Sequence, residues 1–332
     1  MKQAILYIAA LLVVVFLLAA GTTLDVKTIH ALPKAMFQFD SSSMNNVIWI
    51  ELRMPRLLLA LLTGSALGLS GYLMQVLVRN PLADPYVLGS SAGASLFAAV
   101  FYIWLAPGFA SLSVLLVLTF AGAFGTNIVS LFLSTVNGRI VPYRMILVGI
   151  AISSLAIALL SLMLYTSGAD QSWKNIIFWT FGSFQTASWE KVAVMAGIVS
   201  ALILLSMLFF NAFQIMELGE ENANRIGVPV QRYRIVLLLL SSMLTGAAVS
   251  MVGPIGFIGL IMPHMVRILF NYRQTRAFIL VLCYLSGVFL MICEMLSSQL
   301  FPPQGIPAGI LMSLIGVPFF LYLLLKTSDK NI

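Results

Sequence analysis

Few side chains in this sequence are of a kind that does chemistry, and they fall in short stretches. The longest is ELGEENANRIGVPVQRYR, from Glu217 to Arg234, which sets three carboxylates and three arginines into a chain of 332 residues that is only 9% charged. Glu220 and Glu221 would occupy the first turn of a helix, Arg225 its last turn, Gly227 the position just past its end, and Pro229 lies beyond. Acids at the amino end and a base at the carboxyl end match the helix dipole, and glycine stops a helix by entering the left-handed region. The stretch predicts a surface helix of about two turns, with Leu218 and Ile226 turned toward the rest of the molecule and the polar face turned away. A helix this short is marginal alone in water and needs something to pack on, a soluble partner being one candidate.

Other groups are sparser. ELRMPRLLLA places Arg53 and Arg56 three residues apart around Pro55. Two guanidiniums on one face make a fork suited to a partner's carboxylates, or they anchor a membrane helix at the interface. In RNPLADPYVLGSSAGA, Asn80 and Pro81 end one helix, and Asp84 before Pro85 has the form of an N-cap with proline at N1 opening the next. GPIGFIGLIMPHMVR repeats glycine at Gly253, Gly256 and Gly259, a loosely wound or closely packed segment, and its His264 reads as a hydrogen-bonded structural group. Glu294 is the carboxylate clearly inside an apolar stretch, close to its end, where it either lines a pathway or reaches back to water. Cys283 and Cys293 lie about 15 Å apart along one predicted helix and cannot pair, so no disulfide or metal framework exists. The sequence has no GxxxxGK[ST] loop to cradle ATP, no HExxH and no pair of intramembrane aspartates, which argues against an intramembrane enzyme.

The elements that must position these groups are membrane helices. With 61% hydrophobic residues, far above the roughly 45–50% of soluble domains, the chain reads as an all-α polytopic membrane protein. Ten spans are predicted: 4–20, 55–78, 87–106, 111–134, 142–165, 190–210, 233–251, 255–270, 277–296 and 306–325. The first is read as a retained helix, since its apolar run exceeds a signal-peptide core. Residues 21–50 form an outer segment, 174–189 an outer interfacial helix rich in aromatics, and 211–232 a cytoplasmic loop, all within one domain spanning 1–332. The net charge of +7 reports orientation, not nucleic acid. Lys2, Arg79, Arg139, Arg144, Arg225, Arg232, Arg234, Arg267, Arg273, Arg276, Lys326 and Lys330 share one side. Lys27, Lys34, Arg53, Arg56, Lys174 and Lys191 face the other, which puts both termini in the cytoplasm. LTGSALGLSG at Leu62 and LTGAAVSMVG at Leu244 echo each other on spans of opposite direction, as in an inverted repeat, or serve helix packing through Gly64 and Gly68.

Taken together, RMPR at Arg53, SGYLMQVLVRNPLADPYVLGSSAGA at Ser70, RMILVGIAIS at Arg144, FWTFGSF at Phe178, LGEENANRIGV at Leu218, GPIGFIGLIMPHMVR at Gly253 and GIPAGILMSLIGVPFFLYLLLK at Gly305 resemble the permease subunits of type II ATP-binding cassette importers, the iron-siderophore, haem and cobalamin uptake family. The resemblance implies ten helices per subunit and a second permease subunit, identical or paralogous, around one pathway in a bacterial cytoplasmic membrane. It also implies two cytoplasmic ATPase subunits holding ATP and Mg²⁺, and an external binding protein delivering the substrate. No cofactor is implied for this chain, whose expected cargo is an Fe(III)-siderophore, with haem or cobalamin as the alternative.

By the same resemblance, ATPase coupling falls on Leu218, Gly219, Glu220, Glu221, Ala223, Arg225, Ile226 and Gly227. Binding-protein docking falls on Arg53 and Arg56, and a cytoplasmic gate on Asn80, Leu82, Pro142 and Tyr143. Three positions depart from the family pattern: Glu294, Ser298 and Gly305 stand where an aspartate, an arginine and a glutamate are common, so a third docking arginine is missing. Pro142 and Tyr143 stand where some relatives have small hydroxyl residues. A rival class, an ion-coupled secondary transporter, would want several intramembrane acids, and only Glu294 is available.

Overall fold

Thr63, Ser65, Gly68 and Ser70 give the second predicted span a polar and small-residue content that lipid-facing helices do not need, and the reason is that this helix is the core. The computed structural model describes residues 47–105, 111–167, 171–217, 219–270, 276–301 and 305–328. The span predicted at 4–20, most of the outer segment 21–50 and Leu218 lie outside the described residues.

Among the described residues twelve α-helices follow in order: α1 (Met54–Val78), α2 (Ser90–Val100), α3 (Leu112–Ser134), α4 (Pro142–Thr166), α5 (Gln171–Thr180), α6 (Trp189–Leu208), α7 (Phe210–Glu217), α8 (Glu220–Arg225), α9 (Val230–Val252), α10 (Ile258–Phe270), α11 (Arg276–Gln299) and α12 (Ala308–Ser328). A π-helical stretch, Ile48–Arg53, leads into α1, and a two-stranded hairpin, β1 (Thr135–Val136) with β2 (Arg139–Ile140), joins α3 to α4. Among the described residues six helices are long and apolar enough to cross a membrane, and three shorter apolar ones accompany them.

Helix α1 is buried on nearly all sides, packed by α11, α9, α10 and α6. Its glycines let the neighbours in: a Cβ at Gly64 would stand 2.9 Å from Gly287 Cα, and one at Gly71 would enter the backbone of Gly259. Across the α1–α9 contact the Ser70 hydroxyl meets Thr245 Oγ1 at 2.6 Å and Ser241 Oγ at 2.8 Å. Gly64 therefore serves packing, and the echo between α1 and α9 carries further. Gly64 lies against α11, two helices after α9 begins its half, while its counterpart Gly246 lies against Phe120 and Ala123 of α3, two helices after α1. The segments that follow α1 and α9 also meet, the Ile255 N–H donating to Tyr86 Oη at 3.2 Å. Both observations fit two halves that pack reciprocally.

Three predicted boundaries move. Asp84 does act as an N-cap, accepting from the Tyr86 N–H at 2.8 Å, but it caps a single 3-10 turn, Pro85–Leu88. Gly89 at φ +96° then breaks the chain, and α2 starts at Ser90. The interfacial helix predicted at 174–189 is shorter and earlier, Gln171–Thr180. Gly182 at φ +68° ends it, and the backbone there is fastened to its neighbours by Ser183 N–H to Val252 O at 2.8 Å and Gly309 N–H to Gly182 O at 3.1 Å. The predicted loop 211–232 contains two helices, α7 and α8, instead of one.

Candidate functional site

The polar stretch from Glu217 folds as its charge order predicts. Glu220 and Glu221 open α8, Arg225 closes it, and Gly227 follows at φ +85°. The stop is a Schellman motif: the Val228 N–H donates to Ala223 O at 2.9 Å and the Gly227 N–H to Asn224 O at 3.0 Å. Gly219, at φ +113°, makes the turn into the helix from α7. The face assignment is different from the predicted one. Ala223 is the residue that turns inward, fully buried, whereas Ile226 is 62% exposed beside Glu221 and Arg225. Six residues place only one small side chain inward, and the Schellman turn carries Ile226 out with the polar face.

Glu220 also differs from its neighbours. Its carboxylate forms an ion pair with Arg234 of α9, accepting from Nη2 at Oε2 over 2.8 Å. Arg234 is 4% exposed. Its second terminal nitrogen, Nη1, donates to the Ile140 carbonyl at 3.0 Å. One turn earlier on α9, Gln231 Oε1 accepts the Ile140 N–H at 2.9 Å. The end of the β1–β2 hairpin is therefore fastened to the first turns of α9. The hairpin itself turns on Asn137 and Gly138, both at positive φ, the conformation that an Asn-Gly pair favours in a two-residue turn.

Pro142 and Tyr143 begin α4 directly after this hairpin, and Tyr143 is 65% exposed. The Asn80 turn lies at the end of α1, where Arg79 takes the left-handed conformation at φ +56°. Asn80 Oδ1 accepts the Leu82 N–H at 2.9 Å and its carbonyl accepts the Ala83 N–H at 3.0 Å, while Leu82 stays partly exposed. The 3-10 turn that follows packs on Gly149 of α4, where a Cβ would meet Leu88 Cα at 2.7 Å. Asp84, between the spans, has its carboxyl raised to about 6 by burial, with the Tyr86 N–H acting in the opposite direction.

At the other end of α1, Arg53 closes the π-helical stretch and Arg56 lies in the first turn, both partly exposed around the buried Pro55. They are close enough for their charges to act on each other. Trp189 Nε1 donates to Ile50 O at 3.2 Å, tying the π-helical stretch to the start of α6. Glu294 of α11 is 6% exposed and accepts from Ser297 Oγ at 3.3 Å, with the Arg56 charge in range. Among the described residues no three His, Cys, Asp or Glu side chains are grouped to hold a metal ion.

Sequence reasoning missed Arg234 and Lys191, counting both as topology-setting surface charges. Arg234 shares a helical register with the buried Val230, Leu237, Leu238 and Ser241. Lys191 does so with Met195, Val199 and Leu202, and its Nζ donates to Thr186 Oγ1 at 2.8 Å and Met251 O at 3.1 Å. A basic residue on the apolar stripe was the available signal.

Residues 8–326 match the model of the FecCD transport family. The chain is 34% identical over 333 residues to the hemin transport system permease protein HmuU of Yersinia pestis, covering 98% of this chain and 97% of that one. It is 32% identical over 333 residues to the Fe(3+)-citrate import system permease protein YfmD of Bacillus subtilis, covering 98% and 96%. It is 34% identical over 280 residues to the Fe(3+) dicitrate transport system permease protein FecD of Escherichia coli, covering 84% and 85%. A solved structure described as the inward-facing conformation of a metal-chelate type ABC transporter superposes with a TM-score of 0.84 at 26% identity, covering 98% of this chain and 100% of that chain.

Proposed function

Because the chain belongs to the FecCD transport family, a family of ABC transporter permease subunits whose ATPase resides on separate chains, we propose that it forms the pathway for an Fe(III)-siderophore across a bacterial cytoplasmic membrane. In this reading the chain crosses ten times, with residues 4–20 as the first span and both termini in the cytoplasm. An external binding protein docks on Arg53 and Arg56 and delivers the chelate. Two ATPase subunits seat on α8, and the pathway is gated near Asn80, Leu82, Pro142 and Tyr143. A second permease copy or paralogue and lipid cover apolar surface such as that of α4, where Leu147, Ile150, Leu155 and Leu162 are exposed.

The observation that carries this reading is α8: a helix of six residues, stopped by its own Schellman turn and presenting Ile226, Glu221 and Arg225 outward. Such a helix gains little by itself and is shaped to enter another protein. Membership of the family also removes the ion-coupled transporter as a rival. Haem is the second reading for the cargo, favoured by the full-length similarity to a hemin permease.

Proteoliposomes holding the permease with its ATPase, supplied with the external binding protein, decide between these. Uptake of radiolabelled iron from a ferric siderophore is expected, dependent on internal ATP and on the binding protein. Uptake of hemin alone would move the cargo to the second reading. Uptake driven by an ion gradient without the ATPase would overturn the mechanism.

A further inference from the structure

We propose that Arg234 is a positioning residue for transport, the link through which movement of α8 reaches the first turn of α4. The proposal rests on α8 being the ATPase-facing helix. Arg234 joins two separate elements with one planar group: Nη2 donates to the Glu220 carboxylate at 2.8 Å, at the start of α8, and Nη1 donates to the Ile140 carbonyl at 3.0 Å, at the end of the hairpin, and more weakly to the other Glu220 oxygen at 3.5 Å. A guanidinium is a rigid fork, so its two partners keep a fixed separation unless a charge-assisted hydrogen bond breaks.

Gln231 completes the attachment by taking the Ile140 N–H at 2.9 Å, so both backbone polar groups of this 4%-exposed residue are committed to α9. Only Val141 separates Ile140 from Pro142, where α4 begins. One extended residue reaches about 3.5 Å, too little slack to absorb a shift of the hairpin. Movement of Ile140 must therefore be passed to Pro142 and Tyr143. Glu220 accordingly belongs to the inside of the device: it fastens α8 to the link, while Glu221, Arg225 and Ile226 remain for the partner.

The test uses the whole transporter, permease with ATPase and binding protein, in proteoliposomes. Arg144→Cys, an exposed position in the first turn of α4, is labelled with a soluble maleimide in the presence and absence of a non-hydrolysable ATP analogue; the native Cys283 and Cys293 are buried and react slowly. The labelling rate is expected to change with nucleotide in the parent. Arg234→Lys keeps the charge and loses the fork, and Gln231→Ala frees the Ile140 N–H while leaving the Glu220 pair in place. In each, ATPase assembly and ATP hydrolysis are expected to persist. The nucleotide-dependent change in labelling is expected to be lost, and substrate transported per ATP to fall by about tenfold, the factor that roughly one such hydrogen bond is worth.

Native nucleotide response and native transport per ATP in both variants would overturn the link. So would loss of ATPase assembly in both, which would make Arg234 and Gln231 merely structural. Failure of the underlying reading is separate: it would show as unaltered ATPase binding when Ile226 is changed to Ser, whatever Arg234 does.

Discussion

Ile226→Ser isolates what α8 contributes to partner binding. Full burial of an isoleucine side chain stabilises by roughly 1.5–3 kcal/mol, and 62% of this residue is still exposed in the permease alone. The part left for a partner to cover is therefore about 1–2 kcal/mol per copy. In a complex with two copies this becomes about 2–4 kcal/mol, or roughly thirty- to thousand-fold in ATPase affinity at 1.4 kcal/mol per decade. Because most of Ile226 is exposed in the permease, its own thermal stability in detergent should stay within about 0.5 kcal/mol of the parent. The assay is titration of purified ATPase onto permease in nanodiscs, with unfolding of the permease alone followed in parallel. Affinity within a factor of two of the parent would refute the assignment of α8 as the seat, and unfolding of the permease alone would refute the exposure on which the estimate rests.

Reversal of Arg53 and Arg56 to glutamate should weaken capture of the external binding protein, and the loss should be larger at low than at high salt, because exposed charge pairs are screened; capture at low salt equal to the parent would count against docking there. Gly71→Val should destabilise by about 3 kcal/mol or more, the upper end for overpacking, because the obstacle is the Gly259 backbone and no side chain can rotate away. A thermal midpoint in detergent unchanged from the parent would show that α1 and α10 do not approach as described.

What could be read from the sequence was local. The ends of α8 were legible because Gly227, Pro229 and the order of Glu220, Glu221 and Arg225 each act within a turn or two. The end of α1 at Asn80 was legible for the same reason. Asn137-Gly138 was equally local and predicts its hairpin, yet it was passed over within a short basic loop. The failures were of another kind. Asp84-Pro85 opens a helix by every local rule, but which helix depends on Gly89 taking φ +96° against Ser153 and Gly149 of α4. The early end of α5 depends on Gly182 packing against the Pro254 carbonyl. No window along the chain contains such contacts.

The charges show the same division and give it a functional edge. A hydropathy count treats Arg234 as one more cytoplasmic base and Glu220 as one more surface acid, and by those rules the α8 region is a polar patch of balanced sign. In the fold these two neutralise each other against the body of the protein. What remains outward is one acid, one base, the two amides Asn222 and Asn224, and a branched apolar side chain. A socket for this surface would have to cover Ile226 while matching one acid, one base and two amides. At the opposite end of α1, Arg53 and Arg56 act on each other as like charges, and the buried Glu294 lies in range of Arg56. A partner there gains most by bringing carboxylates. Under the proposed roles the two ends of the permease offer different chemistries, a mixed polar and apolar surface at α8 and two like charges at Arg53 and Arg56, so an ATPase and a binding protein would be selected by different kinds of surface.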